Sequence, residues 1–402
     1  MGPTRDLFRD PLPDRLRPEA QLHILDITKY FGPTTGGIRT YLLEKARFVS
    51  RHPDLRQTLV VPGESGGVAD GDGVRCYRVA GPMIPLQSQY RALTAGRTIR
   101  RIIEHEQPDL IEVGSPFLTP WLVRWANRGS IPMVWFYHGN LTRLAAPRSA
   151  MDSREQRWRS ALARWYVGRT GRMFRATIAA SEFAANDLEA AGVRHVVRTS
   201  LGVDLEQFHP RRRAGRASIR HAAGWPAGPV VLYMGRIAGE KALDLPVRAW
   251  NDVNSQTGAT LVLLGDGPDR GRLAALGATP GILWHPHVRE REHLADLVAA
   301  ADLYLAPGPV ETFGLSALEA MASGIPVLSV DSGGVPELVD AAKSGALYRI
   351  GDTADFTAKT VALVTSDLEP LGLAGRAYVE THHDWNSVLP ALFDSYRHVV
   401  RP

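Results

Sequence analysis

The sequence predicts an α/β protein built as two doubly wound domains. Three observations carry that prediction. Short apolar runs alternate with longer amphipathic stretches along the chain, the pattern of parallel sheets covered by helices on both faces. The alternation breaks once, near residue 208, and then restarts. A length of 402 residues exceeds what one hydrophobic core ordinarily holds, while 44% apolar and 22% charged residues is ordinary globular composition.

The elements come in order along the chain. Residues 1–19 are polar, Pro-rich and charged, without the apolar run of a signal peptide. Residues 22–27 read as a buried strand, and residues 38–52 as a helix with Leu42, Ala46 and Val49 at helical spacing. Strand-like runs come next at 57–61, 110–113, 132–137 and 176–180. Residues 208–216 are basic with little apolar content and read as an exposed linker. Beyond them come strand-like runs at 230–234, 260–264, 282–284, 303–306 and 326–330, and a helix at 385–400. The predicted division is an N-terminal domain over 1–207, a C-terminal domain over 208–384, and a final helix over 385–402 packing back on the first domain. Open parallel sheets bind ligands beyond the carboxyl ends of their strands. The expected site is therefore in loops that succeed strands, at a cleft between the domains.

Composition excludes several classes. The single cysteine, Cys76, rules out a disulfide framework and a thiolate metal cluster, and suggests a reducing compartment. No window reaches the roughly 18 apolar residues of a membrane span; the nearest, 294–310, contains Asp296 and Asp302. Charge is uneven. Residues 1–200 hold 29 basic and 19 acidic side chains, residues 201–402 hold 18 and 23, and only five of the basic residues are lysine.

Four motifs stand just past predicted strands. In the loop after 303–306, Glu311 precedes a predicted helix start at Gly314, and Glu319 lies eight residues on. Free backbone N–H groups at Gly314, Leu315 and Ser316 would make an anion site. After 230–234, Arg236 and Lys241 stand five apart in a glycine-containing loop and can address one anion. After 22–27, Gly36 and Gly37 open a helix and allow close backbone approach, with Arg39 beside them. His138 ends the run Trp135-Phe-Tyr-His-Gly139. Alone, each has a plain structural reading: a helix-start acid, a solvated loop pair, a turn, a packed histidine.

In combination they are specific. Glu311-Thr-Phe-Gly-Leu-Ser-Ala-Leu-Glu319, with Ser332-Gly-Gly-Val-Pro-Glu337 after it, resembles retaining glycosyltransferase family 4, which has the GT-B fold of two Rossmann-like domains facing across a cleft. The resemblance runs from about residue 22 to about residue 396. It implies that Glu311 holds the donor sugar, Glu319 the nucleotide ribose, and Arg236 and Lys241 the diphosphate. It implies further donor contacts from Thr312, Phe313, Gly314 and Leu315, a phosphate-facing loop at Gly36 and Gly37, and His138 near the reacting sugar. His285-Pro-His-Val288 stands where the family has Gly-x-Val beside the nucleobase. Val288 is the candidate base contact, and the departure leaves the base open. No metal or other cofactor is expected, because two fixed cations can hold the leaving diphosphate. Asp266 in Gly265-Asp-Gly-Pro268 reads as structural, Gly202-Val-Asp204 as hinge-shaping, and Asp70-Gly-Asp72 as a solvated loop with no strand leading into it.

Between Leu141 and Arg175 stand nine arginines and two acids, with Trp158, Trp165 and Tyr166 interleaved among Arg154, Arg157, Arg159, Arg164, Arg169 and Arg172. Such a helix either lies at an anionic bilayer or packs its tryptophans on the core. No nucleic-acid motif accompanies it. The sequence thus points to a hexosyltransferase acting from a nucleotide diphosphate sugar, GDP-mannose favoured, on a glycolipid or other membrane-associated glycan. Its expected place is cytoplasmic, peripheral at the inner face of the cell membrane. A UDP-hexose donor (glucose or sulfoquinovose) is the alternative, and a non-catalytic nucleotide-sugar-binding protein is the alternative of another class.

Overall fold

The computed structural model describes residues 6, 7, 9–32, 36–84, 87–139, 141–144, 154–276 and 280–401, with the backbone alone at 87–89, 143–144 and 154–157. Two compact units result. Unit 1 comprises Met1–Ala180, Ala184–Thr199 and Leu389–Pro402; unit 2 comprises Ser181–Phe183 and Ser200–Val388. The chain thus passes into unit 2 after Thr199, earlier than the break at 207, and the helix Trp385–Val400 starts in unit 2 and continues in unit 1.

Unit 1 holds strands β1 (Leu22–Ile27), β2 (Leu55–Gly63), β3 (Gly67–Asp70), β4 (Val74–Ala80), β5 (Met83–Ile84), β6 (Gln87–Arg91), β7 (Leu110–Val113), β8 (Met133–Phe136), β9 (Ala176–Ala179) and β10 (Val196–Arg198). Its main sheet runs β10-β9-β8-β7-β1-β2-β4-β3, parallel except for β3 against β4, and β5–β6 is a small hairpin. β1 is buried throughout and pairs with β2 on one side and β7 on the other, so the order reverses beside it. The crevice at the carboxyl ends of β1 and β7 is the switch point at which doubly wound sheets receive ligands.

Unit 2 holds β11 (Val230–Met234), β12 (Thr260–Leu264), β13 (Ile282–His285), β14 (Leu303–Ala306), β15 (Val327–Val330) and β16 (Gly345–Tyr348) in one parallel sheet, ordered β13-β12-β11-β14-β15-β16. Trp250, Val247 and Phe356 close its core with the Val/Leu strands.

Two expectations are corrected. The stretch 208–216 is packed rather than exposed. Phe208 is buried, Pro210–Gly215 is a short helical turn, and Arg213 donates to the carbonyls of Ala299 and Ala301 at 3.2 and 2.9 Å. Its arginines face three acids, Glu206, Asp296 and Asp302, and backbone oxygens, so charge there marks attachment. Asp70-Gly-Asp72 is exposed, as expected of a solvated turn, but a strand does lead into it. Asp70 ends β3 and pairs with Arg75 at 2.7 Å, and Asp72 pairs with Arg17.

Unit 1 also encloses a charged floor. Lys45, in the helix Gly37–Ser50, is fully buried and reaches Asp26 of β1 at 2.7 Å, Glu112 of β7 at 3.3 Å and the Tyr396 hydroxyl at 2.9 Å. Tyr41 donates to Glu112 at 3.1 Å, and Gln57 to Asp26 at 2.7 Å. Burial pushes the Glu112 carboxyl well up from its ordinary range, against the pull of Lys45.

Candidate active site

Unit 2 assembles most of the predicted donor residues at the carboxyl ends of β11 and β14. The loop after β11 carries Arg236 and Lys241. Arg236 pairs with Glu240, and Lys241 reaches across to pair with Glu311 in the loop after β14. The β11 loop is held from below by the turn after β12. There Gly265 has φ +147, and a Cβ on it would stand 1.9 Å from the Gly235 carbonyl oxygen; one on Gly267 would stand 2.2 Å from that of Ile237. Only glycines let the two backbones lie this close. Asp266 accepts from the Gly267 N–H at 2.8 Å, the structural role expected of it.

The helix Leu315–Ala322 begins where the sequence placed it, with Gly314 at φ +99 as its first flanking residue. A Cβ on Gly314 would meet the Val335 side chain at 2.4 Å, so the left-handed backbone and the tight fit both require glycine. Glu311 stands ahead of this helix, and its backbone carbonyl accepts from the Gly334 N–H at 2.7 Å, which ties the loop to the Gly-Gly-Val-Pro segment. Glu319 is not a surface acid. It is buried inside the helix with Arg291 3.4 Å away, and burial pushes its carboxyl up to about 6 against that guanidinium. Arg291 was missed from sequence, because nothing in its own segment marks it. Phe313 is buried, with its ring 5.8 Å from that of His383, so its side chain packs beneath the loop. Thr312 is likewise buried and Leu315 half-buried. Val288 lies past β13 and is half-buried, beside exposed His287.

Unit 1 gathers the rest. Gly36 flanks the helix Gly37–Ser50, and among the described residues a Cβ on it would meet nothing within 4 Å. Thr34 of the same motif lies outside the described residues. Arg39 lies 5.7 Å from the Phe31 ring. His138, just past β8, stacks on Phe136 at 4.1 Å between centroids and lies 5.7 Å from Tyr41. Burial first, and the Lys45 charge second, push its imidazole down to about 3. It is therefore neutral at physiological pH. A Cβ on Gly114, past β7, would come within 3.4 Å of both His138 Nε2 and Thr28, so these three loops converge at the switch point.

The tryptophans of the basic stretch do not face the core. Trp158 and Trp165 are 69% and 63% exposed, with Leu162 on the same face of the helix Arg154–Gly171. The helix Leu118–Asn127 adds Leu118, Trp121 and Trp125, also exposed, and Phe117 just before it. The two helices are joined where Phe117 stacks on Tyr166 and where Arg169 lies over Trp121 at 5.4 Å. Arg124, Arg128, Arg159, Arg164 and Arg172, on or just past the same two helices, are exposed as well. No helix among the described residues is long and apolar enough to cross a membrane.

Comparison with known proteins agrees with this geometry. Residues 35–207 match the family described as Glycosyltransferase Family 4, and residues 228–366 match Glycosyl transferases group 1. A GDP-mannose-dependent alpha-(1-6)-phosphatidylinositol dimannoside mannosyltransferase of Mycobacterium tuberculosis is 31% identical over 80% of this chain and 82% of its own length. A sulfoquinovosyl transferase of Arabidopsis thaliana is 30% identical over 70% of this chain and 55% of its own. Among solved structures, sucrose-phosphate synthase from Thermosynechococcus elongatus superposes with a TM-score of 0.75 at 19% identity, covering 94% of this chain and 99% of that one. With two Rossmann-like units and the family's acidic, basic and glycine positions in their loops, the chain belongs to glycosyltransferase family 4, in the GT-B fold.

Proposed function

We propose that this glycosyltransferase moves mannose from GDP-mannose to a glycolipid hydroxyl at an anionic membrane, with retention of configuration and no requirement for a metal. The observation that carries the reading is the Lys241–Glu311 pair, flanked by Arg236 and by the start of the helix Leu315–Ala322. Cation and carboxylate neutralise each other while the site is free. A sugar diphosphate offers each a better partner: phosphate for Lys241, vicinal hydroxyls for Glu311. As the sugar–phosphate bond breaks, negative charge grows on the departing diphosphate, and Lys241 with Arg236 meets it. No carboxylate is assigned as a nucleophile. Attack from the leaving-group face, with the departing phosphate taking the acceptor proton, is the step this site suits, and neutral His138 positions the sugar.

The mannosyl donor and lipid acceptor draw support from the mycobacterial relative's name. The exposed tryptophans and arginines of unit 1 suit a bilayer with anionic headgroups, where aromatic rings settle at the interface and guanidinium groups meet phosphate. A UDP-hexose donor is the second reading, supported by the name of the sulfoquinovosyl transferase relative.

Purified protein with GDP-mannose and vesicles containing phosphatidylinositol mannosides should release GDP and form a longer glycolipid, undiminished by EDTA. Release of UDP from UDP-glucose instead would replace the donor assignment. No nucleotide release from either donor would overturn the activity, and loss of activity in EDTA would overturn metal independence.

A further inference from the structure

Lys29 stands at the switch point of unit 1, two residues past β1. Its backbone N–H donates to Ser115 at 2.7 Å, and Ser115 also bonds Thr28 at 2.9 Å, so the loops after β1 and β7 are locked together. Its ammonium lies 5.0 Å from the Tyr30 ring and 5.1 Å from the Phe117 ring. Both rings are fixed in turn. Tyr30 packs edge-on against Tyr90 at 5.0 Å. Phe117 has φ +67, unusual for a bulky residue, and the Tyr166 hydroxyl bonds its N–H at 2.5 Å and its carbonyl at 3.0 Å. Among the described residues, no carboxylate pairs with this ammonium.

The fold makes little use of such a group. The backbone is already held through Ser115 and Thr28, and a half-buried ammonium without a counter-charge is disfavoured; burial lowers its proton affinity from the ordinary lysine value. Two rings keep it charged and aimed by cation–π attraction. In a chain with five lysines among 47 basic residues, a compact point charge here contrasts with the arginines elsewhere. Phe117 also begins the exposed aromatic face of unit 1, so the clamp sits where that face meets the switch-point crevice.

Resting on the glycolipid-acceptor reading above, we infer that Lys29, clamped between Tyr30 and Phe117, is the residue that binds the anionic phosphodiester of the acceptor headgroup. The same chemistry could come from the donor's diphosphate, and the test separates the two. Glycerophosphoinositol carries the phosphodiester without acyl chains, myo-inositol lacks it, and GDP represents the donor.

Calorimetric titration of the full chain should show glycerophosphoinositol binding at least tenfold more tightly than myo-inositol. Lys29→Met, which keeps most of the alkyl stem, should erase that preference and leave GDP affinity and the melting temperature unchanged. Lys29→Arg should restore part of it. Three results would each overturn the proposal: no preference in the wild type, a preference that survives in Lys29→Met, or a parallel loss of GDP affinity. The titration involves no turnover. A protein that binds the headgroup through Lys29 yet releases no nucleotide would refute the proposed activity alone, and transfer to acceptors without any headgroup preference would refute this inference alone.

Discussion

Lowering the pH should weaken donor binding through Glu319. Its carboxyl is pushed up to about 6 in the free protein, because burial penalises the charge more than Arg291, 3.4 Å away, favours it. Holding two ribose hydroxyls requires the carboxylate, since a protonated acid loses acceptor strength. Above pH 7 the group is ionised and affinity is flat; below 6 each bound donor must displace a proton. At pH 5 the free protein is about one-eleventh ionised, so affinity should fall roughly tenfold, or about 1.4 kcal/mol. GDP-mannose suits the measurement because its diphosphate, esterified at both ends, has no group titrating near 6. Its dissociation constant should be measured by calorimetry from pH 5 to 8, in wild type and Glu319→Gln. The variant should bind more weakly throughout and show no bend near 6. A pH profile shared by both proteins would refute this role for Glu319, and so would a wild-type curve without the bend.

Other outcomes rest on the same geometry. Lys241→Ala should lower kcat on the order of 10²–10³-fold without moving the melting temperature, since it removes half of the charge facing the leaving group; near-normal turnover would sink the diphosphate role. Lys45→Met should cost about 3–5 kcal/mol, because Asp26 and Glu112 would be left buried without their cation. That corresponds to roughly 6–20 °C in the melting temperature of a unit this size, and the combination with Asp26→Asn and Glu112→Gln should recover much of it in a thermal melt. Gly267→Ala should disturb the loop carrying Arg236 and Lys241, since its methyl would meet the Ile237 carbonyl, and weaker GDP-mannose binding at pH 8 is the readout. Trp121, Trp158 and Trp165 changed together to serine should lower co-sedimentation with phosphatidylglycerol vesicles at least tenfold and leave neutral vesicles unaffected.

Legibility in the sequence tracked how local the cause was. β1, β7, β11, β12 and β14 have the boundaries read from their apolar runs, because strands buried on both faces must be apolar throughout. β3 and β4 escaped that reading. Val74-Arg-Cys-Tyr-Arg-Val-Ala80 alternates, and its Arg75 is buried with Asp70, Glu106 and the carbonyls of Pro13 and Asp14 as partners. The candidate donor residues could be picked out because most of them stand just past a strand in a compact motif. Arg291 and Lys29 were not. Their meaning comes from Glu319, Ser115 and Phe117, residues 28 to 88 positions distant, and no spacing rule reaches that far. The tryptophan face was half legible: the basic helix was marked by composition, whereas its partner from Leu118 to Asn127 carries little charge to mark it.

The Tyr396 hydroxyl completes the charged floor beneath β1 and β7, meeting Lys45 at 2.9 Å and Glu112. This sets the order in which the protein can mature during synthesis. Domains that emerge first from the ribosome ordinarily fold first. Here the N-terminal unit has all its strands once residue 198 has emerged, yet Lys45 and Glu112 lack the hydroxyl that bonds them both until residue 396 has been added. The nascent first unit must therefore wait, with an incomplete interior, while the second unit forms behind it. A stalled or shortened chain ending before residue 396 would release a sheet of native topology that cannot reach native stability.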